Sequence, residues 1–344
     1  EILKYLAEVG NSRLPTEEKT KNVVITVPAN FGSDQRSETI KAAKTAGLNA
    51  LAIINEPTSA GIAFGLLTEH ENMHNVFVFD FGGGTLDVSL LNITDSNITV
   101  KATDGDMFLG GRDFDENTVE YLLKELKLSE SYAKKPKKMY KFREEIIEAK
   151  IQLSHLDSTT IEDEDEEFEE YELTLEKFEE INKDLIDRIL VPVERLLSKS
   201  KVDKNDIDGV LLVGGSSNMQ FVKRKLQEFF GKEPFSGIDP EEAVSTGAGI
   251  VAARLISGEN LPKSINSLEI IDICPFTIGT SNINNTMSVF IKKNTKIPCK
   301  HTEKYKTIYY RQKEFTVDVY EGVEKNVKDN KFLGDFTLYD LPES

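Results

Sequence analysis

Between Val76 and Leu91 the chain reads VFVFDFGGGTLDVSLL, two apolar runs separated by Asp80, Gly82, Gly83, Gly84, Thr85 and Asp87. Apolar, β-branched runs bounded by a glycine cluster predict two buried strands joined at a hairpin tip. Glycine suits a backbone whose N–H groups must close around a phosphate, because no Cβ holds the anion away. Asp80 ends the first strand and Asp87 opens the second. Both are expected to face one pocket, where carboxylates hold a hydrated Mg²⁺ through its waters. The same residues also make an ordinary tight hairpin with two surface acids, and the stretch alone leaves that choice open.

A second glycine turn lies in DGVLLVGGSSNMQFVKRKL, Asp208 to Leu226. An apolar strand runs into Gly214 and Gly215, and Ser216 and Ser217 are expected to cap a helix. A strand-to-helix glycine turn offers backbone N–H groups and a helix N-terminus to a phosphate, ribose or base. Glu56 stands before Pro57, where a carboxylate either serves a pocket or simply favours a helix N-terminus. Lys150 and Ser154 are one helical turn apart and share a face.

These residues need elements to hold them, and the spacing supplies candidates. Ile2, Leu3, Leu6 and Val9 predict an amphipathic helix that Gly10 stops. NVVITVP, Asn22 to Pro28, predicts a buried strand closed by its proline. Ser33 is the expected N-cap of a helix with Ile40, Ala43 and Ala46 on its apolar side and Gly47 after it. Leu48 to Pro57 reads as the next strand, leading into a small-residue helix, PTSAGIAFGL. After the hairpin come a third strand from Asn97, an LGG loop, a helix through Leu123 and Leu126, and a second helix carrying Phe142, Ile146 and Ile151. A single long helix with a kink at Pro192 is expected over about Leu175 to Lys199. Asp239 to Leu255 reads as a small-residue helix able to pack closely on a sheet. From Ile273 the texture becomes short alternating strands, at TMSVFIKK, TIYYRQKEFTVDVYEG and FLGDFTLYDL. A domain boundary is expected near 258 to 272.

The chain has 344 residues, 39% of them hydrophobic, and a formal net charge of −17. That charge argues against a nucleic-acid binder, which needs clustered Lys and Arg. Its acid concentrates in IEDEDEEFEEYE, Ile161 to Glu172, which reads as a solvated loop. No apolar run is long enough for a membrane span. Cys274 and Cys299 lack metal-ligand spacing and fit a reducing compartment, cytosol or nucleus. The start at Glu1 and a β module of about 70 residues, too few for a closed sandwich, predict a fragment.

In their order, the Gly-rich hairpin, the NEP turn, the LGG loop, the VGGSS turn and the short apolar SLEIID tether before a β region resemble the 70-kDa heat-shock chaperone family. The resemblance covers essentially the whole chain. It implies an α/β fold: an actin-like ATPase of ribonuclease-H-like lobes, its N-terminal part missing, over 1–258, a linker over 259–272, and a partial all-β substrate-binding sandwich over 273–344. It implies ATP-driven binding and release of unfolded polypeptides, ATP/ADP and Mg²⁺ as cofactors, J-domain co-chaperones and nucleotide exchange factors as partners, a monomer, and a role in the stress response. Carried over residue by residue, Asp80 and Glu56 resemble the acids at the Mg²⁺, with Thr85 and Asp87 beside them as catalytic-site residues and Gly82, Gly83 and Gly84 as the phosphate loop. Lys150, Ser154, Gly214, Gly215, Ser216 and Glu241 fall on the adenosine side. Pro28 and Arg36 resemble a relay to the tether. Thr280, Ile283, Tyr305, Ile308, Phe315 and Val317 resemble the peptide pocket and its arch.

The departures carry expectations of their own. Ile147 and Ile151 stand where the family commonly has Glu and Arg around the adenine, Asn218 replaces an Arg, and Thr246 replaces a Tyr. Glu269 in the tether is expected to weaken docking of an otherwise apolar segment. Phe315 is expected to narrow the peptide pocket. The family's first phosphate loop and catalytic lysine have no counterpart, so ATP hydrolysis by these residues alone is expected to fall below a family-like rate. Two other readings stand beside the chaperone: a non-catalytic, exchange-factor-like regulator of such chaperones, and an actin-like sugar kinase or filament former.

Overall fold

The computed structural model describes residues 1–344 apart from 17–18, 68–73, 95–96, 129–131, 133, 163–167, 169, 236, 258–260, 308, 310 and 342–344. Its strands are β1 (Asn22–Val27), β2 (Asn49–Asn55), β3 (Asn75–Phe81), β4 (Leu86–Thr94), β5 (Asn97–Asp106), β6 (Ser158–Ile161), β7 (Tyr171–Thr174), β8 (Gly209–Val213), β9 (Glu269–Ile273), β10 (Ile278–Ser281), β11 (Met287–Ile291), β12 (Lys296–Ile297), β13 (Phe315–Glu321) and β14 (Lys331–Leu338). The helices are α1 (Ile2–Ser12), α2 (Ser33–Thr45), α3 (Glu56–Leu67), α4 (Gly111–Glu125), α5 (Pro136–Gln152), α6 (Leu175–Ile181), α7 (Lys183–Arg188), α8 (Val191–Ser200), α9 (Gln220–Phe230), α10 (Ala243–Ser257) and α11 (Lys263–Asn266).

A six-stranded mixed sheet in the order β12-β9-β5-β4-β3-β8 is the frame. The period-two alternation of β3 divides its two faces. Phe77, Phe79 and Phe81 join the core containing Phe114, Phe142, Phe178 and Phe221. Val76 and Val78 join the opposite core, with Ile62 and Phe64 of α3 and Val251 of α10. By the same alternation Asp80 falls on the α3 side. Its cross-strand partner is Asp87, and partners directly opposite point to one face. A Cβ on Gly247 of α10 would stand 1.8 Å from the Ser59 carbonyl oxygen of α3, so these two helices cross at a distance only glycine permits.

The tether is a strand. β9 pairs in parallel with the start of β5, Asn97 opposite Glu269 and Thr99 opposite Ile271, while Leu268 is buried. Beyond it, β10, β11, β13 and β14 form a separate four-stranded sheet, and β12 turns back to pair with β9. β1 and β2 make a parallel pair of their own. Among the described residues no helix is long and apolar enough to cross a membrane.

Several expectations change. α1 runs through Gly10 to Ser12, and Ile2, Tyr5 and Leu6 on its apolar side are exposed. β1 is mostly half-buried rather than buried. Ser33 is the first residue of α2, whose N-cap is Gly32, and Ile40 lies exposed. The expected long helix is three shorter ones, α6, α7 and α8, with Pro192 in the first turn of α8, where a proline costs no hydrogen bond. Ser216 and Ser217 lie in a 3₁₀ turn and do not cap α9, whose N-cap is Met219. Among the described residues of TIYYRQKEFTVDVYEG, only Phe315–Glu321 is strand. Glu269 is exposed at its position in β9, so its charge stays solvated and the predicted penalty on docking does not arise. Half of the acidic run, 163–167 and 169, lies outside the described residues; its flanks pair as β6 and β7.

Candidate functional site

The hairpin tip is built by packing from behind. Gly82 N donates to Thr85 O (3.0 Å), closing the turn, while Gly111 N donates to Gly82 O (3.0 Å) and Arg112 N to Gly83 O (2.9 Å). The LGG loop therefore lies flat against the tip. A Cβ on Gly110 would stand 2.5 Å from both Cα and N of Gly84, and one on Gly214 would meet the Phe81 carbonyl oxygen at 2.5 Å. Gly214 also has φ +82°, which favours glycine on its own account. The Ser216 hydroxyl donates to Gly82 O (2.9 Å), so the two glycine turns that sequence places more than a hundred residues apart are hydrogen-bonded to one another.

Three carboxylates meet in front of this tip. Asp80 and Asp87 are buried, and Glu56, at the start of α3, is half-buried. Burial, then the charges of Glu56 and Asp87, push Asp80 well above the usual carboxylate range. Burial and then Asp87 push Glu56 up to about 7. Burial also raises Asp87, against hydrogen bonds from Asn30 and Thr85 and the Arg36 charge, which hold it down. Asp80 Oδ2 is buried with no hydrogen-bond partner in the protein. An orphaned carboxylate oxygen beside two further acids is a group that a cation satisfies. No three acids, histidines or cysteines among the described residues sit close enough to cage a metal directly.

Beside the tip opens a cavity of about 450 Å³ lined by Gly83, Ile147, Lys150, Ile151, Ser154, His155, Gly215, Ser216, Asn218, Met219 and Glu241. Five of the residues expected on the adenosine side, Lys150, Ser154, Gly215, Ser216 and Glu241, line it; Gly214 lies one residue outside. Lys150 is fixed by Asp115 (2.7 Å) and by Gly111 O (3.1 Å). Ser154 Oγ donates to the Lys150 carbonyl (3.4 Å). Asn218 Nδ2 donates to Glu241 (3.4 Å). Ile147 and Ile151 are exposed along its wall, so one side of the cavity is an apolar plate suited to an aromatic ring.

The relay residues have partners. Arg36 donates to Phe31 O (2.9 Å), Ala29 O (3.2 Å) and Asn55 Oδ1 (2.6 Å). Asn55 Nδ2 donates to Asp272 of the tether (3.0 Å), as does Thr58 Oγ1 (2.9 Å). Pro28 is half-buried at the end of β1, where its carbonyl accepts from Phe31 N (3.1 Å). In the β region, Thr280 and Val317 are buried, Ile283 and Tyr305 are exposed, and the Tyr305 and Phe315 rings lie 5.3 Å apart. Ile308 is outside the described residues.

Sequence reasoning missed Asn30, whose Nδ2 donates to Asp87 Oδ1 (2.7 Å). Nothing in its neighbourhood marks it as polar machinery; its role comes from a loop folded across the sheet end. It also missed Asn55, Thr58 and Asp115, although Asn55 and Thr58 flank the Glu-Pro turn that was singled out.

A protein-family profile described as "Hsp70 protein" matches residues 1–344. The chain is 40% identical over 327 residues to "Heat shock 70 kDa protein" of Emericella nidulans, covering 93% of this chain and 50% of that protein. It is 40% identical over 347 residues to "Heat shock 70 kDa protein 2" of Paracoccidioides lutzii, covering 99% of this chain and 53% of that protein. The chain thus spans about half the length of these curated relatives.

Proposed function

The chain belongs to the Hsp70 family, and on that premise we propose that it serves an ATP-driven chaperone that binds and releases extended polypeptides. The observation that carries the reading is the convergence of Asp80, Asp87 and Glu56 on the Gly82–Thr85 tip, beside a cavity lined by Lys150, Ser154, Gly215, Ser216 and Glu241. Family members are in general ATPases that use Mg²⁺, and phosphoryl transfer asks for positioning and charge stabilisation rather than a covalent nucleophile.

Each residue has a part in this reading. Asp80 and Glu56 hold the hydrated metal, which when bound neutralises phosphate charge. The N–H groups of Gly83 to Thr85 face the phosphates, that of Gly82 closing the turn. Asp87, whose carboxylate accepts from Asn30 while burial raises its pKa, orients the reacting water together with Glu56, which burial and Asp87 push up to about 7, where a group can take or return a proton. Ile147 and Ile151 cover the base. Arg36, Asn55 and Asp272 connect this site to the tether, so a change at the acids reaches β9. J-domain proteins and exchange factors are the proposed partners, and cytosol or nucleus the proposed location.

Calorimetry tests the site. Mg·ADP is expected to bind the chain, and Asp80→Asn is expected to weaken it at least roughly tenfold, the loss of about 1.4 kcal/mol. Equal affinities would sink the assignment. The Tyr305 and Phe315 rings in the peptide region favour a second reading, a regulator that holds nucleotide but no peptide. A fluorescent heptapeptide released faster with ATP than with ADP supports the chaperone; no peptide binding under either condition supports the regulator.

A further inference from the structure

The adenosine-side cavity does not end at its far wall. His155, Asn218 and Glu241 line it, and the same three residues line a second cavity of about 740 Å³. They are a partition between two adjoining spaces. Its span is one long hydrogen bond between exposed groups, Asn218 Nδ2 to Glu241 Oε1 (3.4 Å). Beyond it, among the described residues, Leu212, Pro234, Phe235, Ile238 and Pro240 supply apolar surface, Leu212 buried and the other four half-buried. The charged side chains that reach this space, Lys223, Glu233 and Asp239, are exposed and of both signs. A cavity of this size and lining suits an apolar group better than an ion of either charge.

Each wall is fastened from outside the cavity. Phe235 N donates to Val210 O (2.7 Å), and its ring meets that of Phe64 edge-on at 5.0 Å. Gly214 N donates to Pro240 O (2.9 Å) and Glu241 N to Asp239 Oδ1 (2.8 Å), which ties this loop to the second glycine turn. Gln220 Nε2 donates to the carbonyls of Leu153 (3.0 Å) and Leu156 (3.2 Å), so the start of α9 is joined to the chain on both sides of His155. The lining also has a direction. Lys150 is bonded to Gly111 O, behind the hairpin tip, and His155 lies roughly 7.5 Å farther along the helical path. With its phosphates at the tip, a nucleotide directs toward the partition the edge of its base remote from the ribose.

Resting on the nucleotide reading of this site, we propose that the second cavity is a subsite for an apolar substituent at the 6-position of a purine, so that the chain binds N6-aryl or N6-alkyl adenine nucleotides more tightly than unsubstituted ones. Ile147 and Ile151 cover the purine ring. Asn218 and Glu241 part to admit the substituent, which costs one long hydrogen bond whose partners water can satisfy. A substituted 6-amino group keeps one N–H, and the Glu241 carboxylate at the passage is an acceptor for it. Beyond the passage, Leu212, Phe235 and Pro240 take the substituent out of water. Because the walls are already fastened to α5, β8 and the glycine turn, little ordering is left for the ligand to bring about.

Calorimetry on the full chain compares Mg·ADP with Mg·N6-benzyl-ADP. The benzyl nucleotide is expected to bind roughly tenfold more tightly, the gain from burying a ring of phenylalanine size. Gln227 and Lys223 stand on one exposed face of α9 and line the second cavity but not the first. Gln227→Trp and Lys223→Trp, each filling that cavity from an exposed position, are expected to abolish the gain and leave ADP binding unchanged. A benzyl nucleotide that binds no more tightly than ADP overturns the subsite and leaves the nucleotide site standing. A gain that survives both tryptophans also overturns it, since the ring then lies outside the second cavity. Binding of neither nucleotide overturns the nucleotide reading itself, and the subsite with it.

Discussion

Glu56 is the residue whose surroundings have a direct consequence for pH. Its carboxyl is raised from 4.5 to about 7 by burial and by Asp87, so the folded chain binds a proton there that the unfolded chain has released. Below about pH 4.5 the group is protonated in both states and its stabilising effect is complete; as pH rises through 7 that effect is lost. Without Mg²⁺, stability is therefore expected to fall between pH 4.5 and 7, by at most on the order of 3 kcal/mol from this group. Asp80 and Asp87, raised in the same sense, add to the trend. Urea denaturation at pH 5 and pH 8 measures it, and Glu56→Gln, which has no proton to lose, is expected to flatten the difference. An unchanged pH dependence in that variant would show that Glu56 is ionised at little cost.

At the scale of elements, the site depends on two close approaches made by glycine. α3 carries Glu56 and is pressed against β3 and β4 by α10, and the crossing at Gly247 leaves no room for a methyl group, since the Ser59 carbonyl would be 1.8 Å from it. The neighbour is backbone and cannot rotate aside. Gly247→Ala is expected to cost about 2–3 kcal/mol, the upper part of the usual range for overpacking. A shift in the urea midpoint at constant slope is the measure. A neutral substitution would mean that α10 slides freely over α3. The second approach, LGG against the hairpin tip, shows why the motif needs its glycines: a Cβ on Gly110 would stand 2.5 Å from Gly84 backbone, so only glycine lets the two loops stack.

Across the whole molecule, the tether is held by more than strand pairing. Asp272 accepts from Asn55 and Thr58, and Asn55 in turn accepts from Arg36. From the β region, Glu321 accepts from Ser33 Oγ (2.6 Å) at the start of α2, and Lys331 pairs with Asp34 (2.9 Å). Asp272→Ala leaves the Asn55 amide and the Thr58 hydroxyl, both buried, without their acceptor, a loss of about 1–3 kcal/mol. Faster hydrogen exchange over 269 to 273, by roughly tenfold or more, is the expected result. Unchanged exchange would mean that β9 is held by its backbone pairing with β5 alone.

Much of this was legible in the chain. The alternation in VFVFDF determined that Asp80 opposes the phenylalanines, and the glycine cluster determined a hairpin that sets Asp80 opposite Asp87. Periodicity located most strands, the small-residue α10 and the change of texture before the β region, because burial and backbone freedom act over a few residues at a time. The long helix over 175 to 199 was misread because an apolar stripe continues through its breaks at Asn182 and Leu190; only packing decided where each segment turned. Tertiary structure alone decided that Ser216 closes on Gly82, that Asn30 reaches Asp87, and that Asp272 meets Asn55 and Thr58. Those contacts join segments far apart in sequence. Their partners are chosen by where the sheet brings chain ends together, and no local pattern of residue types records that choice.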